Sequence, residues 1–404
     1  MLSVGIQDSG NPQYLRAVRS CKRLLTMLVA RSHRISSCKL SSSRPDFWSS
    51  WSLPAPNLRK LTVNGQGAED ILIFGGQLPQ LESLASAYHP PPLLGKYAAL
   101  RQVNLRRHGQ HNITLELLLN ALRGCKALEK LTLHGYSCLD NGIPGLPAVF
   151  LPHLFRLELF SSDSALILEH LEAPSLMGPV VIFDSNPGGD ILRSIPRTQH
   201  VAPYLQDITK LCITLNSHSM QFYIAGHRAH DKYIALYIGV HGVPELFRRE
   251  WVRASIQAIA SSVHFSNVRN LIFSTDALRL PWDLWLPNLG NVRELTFSCP
   301  EPEVLVNLLG TCPENGLPLC PSLQTLALHR CGEYAGVDHT SLRRFINSRY
   351  QADFPLRKLK LRRTEWDRVR KLDEPWVALA RSQCAYLIRE THKTYQCPTS
   401  DRRR

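Results

Sequence analysis

The chain has 404 residues, of which 44% are hydrophobic and 20% are charged. This composition is that of a folded protein and excludes a disordered one. The 47 Lys and Arg residues against 33 Asp and Glu residues give a formal net charge of +14, which disfavours basic partners and favours acidic proteins, nucleic acid or an anionic membrane.

Residues 1–52 are predicted to form a basic N-terminal cap in which a helix leads into a strand. The apolar run LLTMLVA (24–30) precedes the segment RSHRISSCKL (31–40). The same stretch is rich in Arg and Ser and poor in acids, which is also the composition of a mitochondrial transit peptide. No apolar run reaches the ~20 residues that span a bilayer, so we expect no membrane segment.

Between residues 53 and 366 the sequence repeats one pattern, apolar-x-x-apolar-x-apolar, which predicts a short strand each time. The copies are LRKLTV from Leu58, LESLAS from Leu81, LRQVNL from Leu100, LEKLTL from Leu128, LFRLEL from Leu154, ITKLCI from Ile208, VRNLIF from Val268, VRELTF from Val292, LQTLAL from Leu323 and LRKLKL from Leu356. Two further segments, APSLMGPVVIF from Ala173 and YIALYIG from Tyr233, are interpreted as degenerate copies.

Proline often precedes a copy, as in LPAPNL (53–58), LPQL (78–81), LPHL (151–154), EAPSL (172–176) and LCPSL (319–323). Because proline cannot donate a hydrogen bond to a sheet, it suits the start of a strand.

The segments between copies are often helical by pattern. ITLELLLNALRGC (113–125) and EPEVLVNLLGTC (301–312) carry leucines at helical spacing, and we expect their helices to stop at Gly124 and Gly310. Beyond residue 366, EPWVALARSQCAYLIRETHKTY (374–395) also predicts a helix. Residues 367–404 are therefore interpreted as a C-terminal helical cap with a basic tail.

One such unit cannot bury its own leucines, so neighbouring units must stack. The predicted fold class is α/β, an irregular leucine-rich-repeat solenoid with parallel strands on the concave face and helices and loops on the convex face. An ordinary α/β sheet is the alternative. It explains the alternation of strands and helices but not the recurring proline and LxxLxL pattern.

Residues between the leucines of each strand point away from the core and are expected to line the concave face. Basic residues outnumber the acids Glu158 and Glu294 at these positions. The candidate partner-binding residues are Lys60, Arg106, Lys130, His134, Arg156, Lys210, Lys358, Lys360 and Arg362. They predict that an acidic or phosphorylated protein segment is held by charge-assisted hydrogen bonds. The alternative is that these are solvated strand positions without a ligand.

No pattern for catalysis, a cofactor or a metal stands out in the sequence. LLGKYAAL lacks the spacing and the Ser or Thr of a phosphate loop, and no nucleophile elbow occurs. The pairs His108–His111 and His227–His230 lack a third ligand at a metal-site spacing. The 11 cysteines form no C-x-x-C and indicate reduced thiols of a cytoplasmic or nuclear protein. Nucleic acid is not favoured, because no helix-turn-helix, finger or RNA-binding pattern occurs.

The segments PAPNLRKLTV, IFGGQLPQLESL, LELLLNALRGCKALEKLTL and LEHLEAPSL resemble the leucine-rich-repeat part of fungal F-box proteins. This resemblance covers residues 30–365. It implies a non-catalytic substrate receptor of a cullin-RING ubiquitin ligase, joined to it by a Skp-type adaptor. The F-box itself is not evident, because MLSVGIQDSGNPQYLRAVRSCKRLL (1–25) lacks its Leu-Pro start. The alternative is a repeat-only interaction scaffold with no ubiquitin role, and an enzyme is less favoured than either.

Overall fold

The computed structural model describes residues 2–7, 27, 30–41, 53–64, 73–87, 91–106, 113–136, 138–139, 146–160, 164–176, 180–184, 208–216, 221–229, 236–241, 265–275, 282, 286–299, 302–310, 318–330, 339–362 and 386–390. The described residues form mixed α/β structure with few helices. The chain divides into an N-terminal unit, Met1–Phe183, and a C-terminal unit, Asp184–Arg404. No helix in the described ranges is long and apolar enough to cross a membrane.

The N-terminal unit contains a parallel sheet in the order β1-β2-β3-β4-β5-β7-β10-β12, beside the short parallel pairs β6–β8 and β9–β11. Its strands are β1 (Leu2–Gln7), β2 (Ile35–Ser41), β3 (Lys60–Asn64), β4 (Ser83–Ser86), β5 (Gln102–Arg106), β6 (Ile113–Thr114), β7 (Lys130–His134), β8 (Cys138–Leu139), β9 (Val149–Phe150), β10 (Arg156–Phe160), β11 (Leu171–Glu172) and β12 (Val180–Asp184). Its helices are α1 (Leu115–Arg123) and α2 (Ser164–Glu169), with 3-10 turns at Ser32–Arg34, Ile73–Gly76 and Pro91–Lys96.

The C-terminal unit contains strands in the order β15-β14-β13-β16-β17-β18-β19-β20. They are β13 (Ile208–Asn216), β14 (Gln221–Arg228), β15 (Leu236–His241), β16 (Asn270–Thr275), β17 (Glu294–Cys299), β18 (Thr325–Arg330), β19 (Lys358–Arg362) and β20 (Tyr386–Glu390). The helices are α3 (Pro302–Gly310) and α4 (His339–Gln351), with 3-10 turns at Phe265–Asn267 and Leu286–Asn288.

Strands β13 to β20 are parallel except for β14, which runs antiparallel to both β13 and β15. Only residues 217–220 separate β13 from β14, and only 229–235 separate β14 from β15. A parallel return needs about a dozen residues or more, so connections this short require antiparallel pairing.

The repeat pattern is confirmed at the level of strands, because every predicted copy contains one. Both degenerate copies are also confirmed, as β12 and β15. At Tyr386–Glu390, however, the structure has a strand, β20, where the pattern predicts a helix. Strand β20 pairs in parallel with β19, whose edge offers main-chain N–H and C=O groups for hydrogen bonding. A helical pattern in the local sequence carries no information about that edge. The rest of the predicted cap lies outside the described residues, and the predicted domain boundaries stay predictions.

Two rows of buried side chains run across the sheet of the N-terminal unit. One row contains Leu61, Leu131 and Leu157, and the other contains Leu105 and Leu133, all at most 4% exposed. Ser86, the residue that breaks the apolar pattern in LESLAS, occupies a place in the second row and is also buried. The strand register therefore aligns the leucines of successive copies into one core.

The prolines occupy a defined turn rather than the first residue of a strand. In APNL, LPQL, LPHL and CPSL the N–H of the last residue bonds to the carbonyl of the first, at 3.1, 3.1, 3.2 and 3.0 Å. Proline is thus the second residue of a tight turn, whose φ its ring presets. All four residues that begin these turns, Ala55, Leu78, Leu151 and Cys320, are also buried, so the buried pattern of each of these copies starts three residues before its first leucine.

The glycines at the ends of the two predicted helices lie where neighbouring backbone passes close by. Helix α1 ends at Arg123, and Gly124 follows it with an ordinary helical φ of −75°. A Cβ on Gly124 would lie 2.3 Å from the Cα of Gly95, and one on Gly310 would lie 3.1 Å from the Cα of Phe345. The expected stop at Gly124 is confirmed, and Gly310 is the last residue of α3. Close backbone approach explains why glycine, rather than a residue with a Cβ, occupies both positions.

We expect Gly124→Ala to lower the free energy of unfolding by about 1–3 kcal/mol, because the added methyl group would displace backbone rather than a flexible side chain. Gly290→Ala is the matched control, since nothing lies within 4 Å of its Cβ position. Its expected effect is within about 0.5 kcal/mol. Urea unfolding measures both, and equal effects would contradict the close-approach explanation.

A fully buried arginine joins α4 to the turn before β18. The guanidinium of Arg349 donates to five main-chain carbonyls at 3.1 to 3.4 Å, those of Leu319, Cys320, Pro321, Leu323 and Phe354. The Cys320 carbonyl also accepts the turn bond from Leu323 N–H. The guanidinium supplies donors to carbonyls that lie away from water, where an unpaired acceptor is costly. Arg349 therefore replaces water at this turn.

Replacing Arg349 by Met is expected to lower the free energy of unfolding by about 3 kcal/mol or more, since several buried carbonyls lose a charged donor. Arg349→Lys should also destabilise, because an ammonium has only three donors and no planar fork. Arg344→Met, at an exposed position of the same helix, serves as the control. Equal unfolding midpoints for the two Met variants would contradict this role.

Candidate functional site

The outward face of the N-terminal sheet carries five of the predicted site residues in defined rows. Lys60, Lys130 and Arg156 belong to one row, in register through Ser83 and Gln102. Arg106 and His134 are paired neighbours in another row, four residues further along their strands. The row between them contains Thr62, Ala85, Asn104, Thr132 and Glu158. The predicted residues thus share one face of this unit.

Arg156 is already paired within its own strand. Its guanidinium bonds to Glu158 Oε1 through Nε at 2.8 Å and through a terminal nitrogen at 2.5 Å. Thr132 Oγ1 donates to the other carboxylate oxygen at 3.3 Å. The spacing of two residues along a strand, which places both side chains on one face, was the sequence signal for this pair. Arg156 therefore brings little net charge to a ligand.

His134 is stacked on Phe160 of the next strand, with ring centroids 4.0 Å apart and planes within 3°. Burial lowers the pKa of His134, and the positive charge of Arg106 lowers it further, against a smaller opposing effect of Glu158. The neutral ring is therefore favoured at neutral pH. His134 offers a hydrogen-bonding aromatic surface here rather than a cation.

The remaining cations of this face differ in their surroundings. Lys130 Nζ lies 5.5 Å from the ring centroid of Phe155, a cation–π arrangement. Lys60 and Arg106 are exposed and have no ion-pair partner among the described residues. These two are the cations most available to an acidic ligand.

Asn104 was missed by sequence reasoning as a special position. Its Oδ1 atom is buried and accepts no hydrogen bond within the described structure. Its strand neighbours in the same row are Ala85, which has no donor side chain, and Thr132, whose hydroxyl bonds to Glu158. No signal in the sequence distinguishes it, because any polar residue satisfies the outward pattern.

In the C-terminal unit, Lys210 and Lys358 belong to one outward row, in register through Asn270, Glu294 and Thr325. Lys360 lies in the next row, beside Ala327 of β18. Arg362 ends β19 and is in register with Glu390 of β20. Lys210, Lys358 and Lys360 therefore occupy outward-facing positions of β13 and β19, two strands that are separated by the three strands β16, β17 and β18.

Cysteine and asparagine side chains of the turns were also missed, and they bind backbone of the preceding copy. The thiols of Cys125 and Cys320 donate to the carbonyls of Leu94 at 3.5 Å and Leu286 at 3.8 Å. Burial raises the pKa of Cys125 to about 11 and that of Cys320 to about 12. Both thiols are therefore protonated structural donors rather than nucleophiles.

The amides of Asn57 and Asn291 serve the same purpose at another position of the turn. Asn57 Nδ2 donates to the carbonyl of His33, and Asn291 Nδ2 donates to that of Ser266 at 2.6 Å. The sequence signal was an asparagine directly before the first apolar residue, in PNL and GNV.

Among the described residues, no three His, Cys, Asp or Glu side chains are grouped so that they could hold a metal ion. Within the His pairs, only His227 is described, and His108, His111 and His230 lie outside the described residues.

The lowered pKa of His134 predicts that the folded chain loses stability as the pH falls below the unfolded value of about 6.5, because the unfolded chain then binds more protons. His134→Gln should flatten this dependence of the free energy of unfolding between pH 7 and 5. His153→Gln, at an exposed position, should keep it. Urea unfolding across this pH range measures the slopes, and parallel curves for parent and His134→Gln would refute the prediction.

No protein-family model and no curated protein matches the chain. Among solved structures it is similar to a leucine-rich-repeat protein from Leptospira interrogans, at 13% sequence identity, over 90% of this chain and 98% of that chain, with a TM-score of 0.24. A likeness at this TM-score adds nothing to what the strand registers establish about the fold.

Proposed function

We propose that the chain is a non-catalytic protein-interaction module, in which leucine-rich repeats present the outward faces of their strands to another protein. The observation that carries the proposal is the in-register alignment of polar side chains opposite rows of buried leucines. Such a face is preorganised by the strand register, and it offers hydrogen bonds and charge to a protein partner. In each unit, parallel strands would form the concave face of an irregular repeat solenoid.

The partner proposed for the N-terminal face is an acidic or phosphorylated protein segment. Exposed Lys60 and Arg106 supply unpaired charge, and the neutral His134–Phe160 stack supplies a flat aromatic surface beside Arg106. A carboxylate or phosphate could accept charge-assisted hydrogen bonds from the cations. Arg156 is assigned a supporting role, because Glu158 already occupies its guanidinium.

The finer proposal is that the module is the substrate-receptor part of a cullin-RING ubiquitin ligase, recruited by a Skp-type adaptor. It is supported by the resemblance of the repeats to fungal F-box proteins, and it assigns the chain to the cytoplasm or nucleus. The repeat-only scaffold is its competitor. The two differ in whether adaptor and cullin accompany the bound target.

Charge reversal tests the binding face. Immobilised parent chain and the variant Lys60→Glu/Arg106→Glu are used to capture proteins from a native lysate, before and after phosphatase treatment. We expect capture of the main targets to fall about tenfold or more, because each charged hydrogen bond contributes roughly 1.5–3 kcal/mol. The control Lys96→Glu/Lys126→Glu changes two exposed lysines that precede their strands and lie off this face.

Three outcomes are informative. Equal losses in the two variants, or in neither, would contradict binding by this face. Loss after phosphatase treatment would identify phosphate as the recognised group. Co-capture of a Skp-type adaptor and a cullin would support the ligase role, whereas targets captured without them would support the scaffold.

A further inference from the structure

Each copy of the repeat places one exposed or half-buried residue just before its strand, directly after the first apolar residue. We call the set of these residues in one unit the strand-start row. In the N-terminal unit successive members are joined by main-chain bonds, from Glu82 N–H to the Arg59 carbonyl at 2.9 Å and from Arg101 N–H to the Glu82 carbonyl at 2.8 Å. The bond from Glu129 N–H to the Arg101 carbonyl, at 2.7 Å, continues the row.

The strand-start row of the N-terminal unit neutralises itself. Its first four side chains alternate in sign, as Arg59, Glu82, Arg101 and Glu129, and the uncharged Phe155 follows them. Arg59 pairs with Glu82 at 3.3 Å and Arg101 pairs with Glu129 at 3.2 Å. Adjacent strands bring these groups close together, so alternation removes the repulsion that like charges would produce.

The strand-start row of the C-terminal unit has the same backbone and a different charge pattern. It consists of Thr209, Arg269, Arg293, Gln324 and Arg357, joined by N–H to carbonyl bonds of 2.8, 2.7, 2.8 and 2.9 Å. The three arginines are exposed. Among the described residues none forms an ion pair with them, including Glu294, the exposed residue that follows Arg293.

This arrangement is unfavourable without a counter-charge. Strands lie about 4.8 Å apart, so Arg269 and Arg293 begin from neighbouring positions, and Arg357 lies three strand spacings, about 14 Å, from Arg269. Like charges on adjacent strands repel, by contrast with the paired row of the N-terminal unit. An anionic ligand would replace this repulsion by bidentate guanidinium–carboxylate pairs.

We propose that the strand-start row of the C-terminal unit is a second binding surface, which takes an acidic peptide segment lying across β16 to β19. In an extended peptide, alternate side chains on one face recur about every 6.8 Å, so acids at positions one and five span about 13.5 Å. That span matches the separation of Arg269 from Arg357. Arg293 reaches the acid between them, and the amide of Gln324 bonds to the peptide main chain.

The chemistry favours a peptide over a nucleic acid. Binding of single strands commonly combines a basic groove with aromatic side chains on which bases stack. Within the described residues, the five members of this row include no aromatic side chain. The surface is also distinct from the outward strand faces assigned to the main target, since it lies at the start of the strands and in the C-terminal unit.

The experiment uses fluorescence anisotropy of the full chain with a labelled twelve-residue peptide of alternating Glu and Ser. We expect the triple variant Arg269→Gln/Arg293→Gln/Arg357→Gln to bind it at least about tenfold more weakly, the loss expected for several charge-assisted bonds. The charge-matched control is Arg343→Gln/Arg344→Gln/Lys126→Gln, which changes exposed residues elsewhere. It should retain parental affinity, and so should Lys60→Glu/Arg106→Glu, which separates this site from the proposed N-terminal face.

Three results would overturn the proposal. The first is an equal loss of affinity in the triple variant and its charge-matched control, which would indicate attraction by overall charge. The second is peptide binding by the triple variant that equals that of the parent, or no peptide binding by the parent. Matching thermal unfolding midpoints would establish that both chains are folded. The third is tighter binding of a twelve-residue oligothymidylate than of the peptide with the same dependence on the three arginines.

Discussion

A main-chain hydrogen-bond pattern at the start of each strand sets the register on which both units depend. The N–H groups of Glu129 and Lys130 share the carbonyl of Arg101 as acceptor, at 2.7 and 2.9 Å. Those of Gln324 and Thr325 share the carbonyl of Arg293 in the same way, at 2.8 and 2.9 Å. Because side chains alternate along a strand, a slip of one residue would move every core leucine to the outward face. Strand pairing in this register and burial of the core leucines therefore each require the other.

The turns that lead into the strands create a second requirement, since their carbonyls point toward the interior or toward the preceding copy. Different side chains supply donors to these carbonyls: the guanidinium of Arg349, the thiols of Cys125 and Cys320, and the amides of Asn57 and Asn291. The carbonyls that the two thiols reach also accept a main-chain N–H of their own turn. Buried main-chain acceptors must find a partner, but any donor of suitable length will serve. This explains why the repeat tolerates irregular sequence at its turns.

The same backbone supports surfaces of opposite electrostatic character. Arginine is neutralised where a glutamate lies on the next strand, as for Arg59, or two residues along the same strand, as for Arg156. It stays without an ion pair, among the described residues, at Arg269 and Arg293. The net charge of the chain therefore says less about binding than the pairing of each cation with its neighbours does.

The sequence by itself determined the strands of the recurring copies, the presence of proline before several of them and the end of α1, because leucine alternation, proline and glycine act through local geometry. It also indicated which side chains point outward. It misjudged Tyr386–Glu390, which pair with β19, and it did not indicate the reversal of β14. Only the tertiary structure decided that Arg156 is neutralised, that His134 is an uncharged ring, and that Arg349 is buried. The His134 ring depends on neighbours that the register brings together across strands, Arg349 on the packing of α4 against a turn, and Arg156 on the side-chain conformations of two residues of one strand. A one-dimensional pattern does not contain that information.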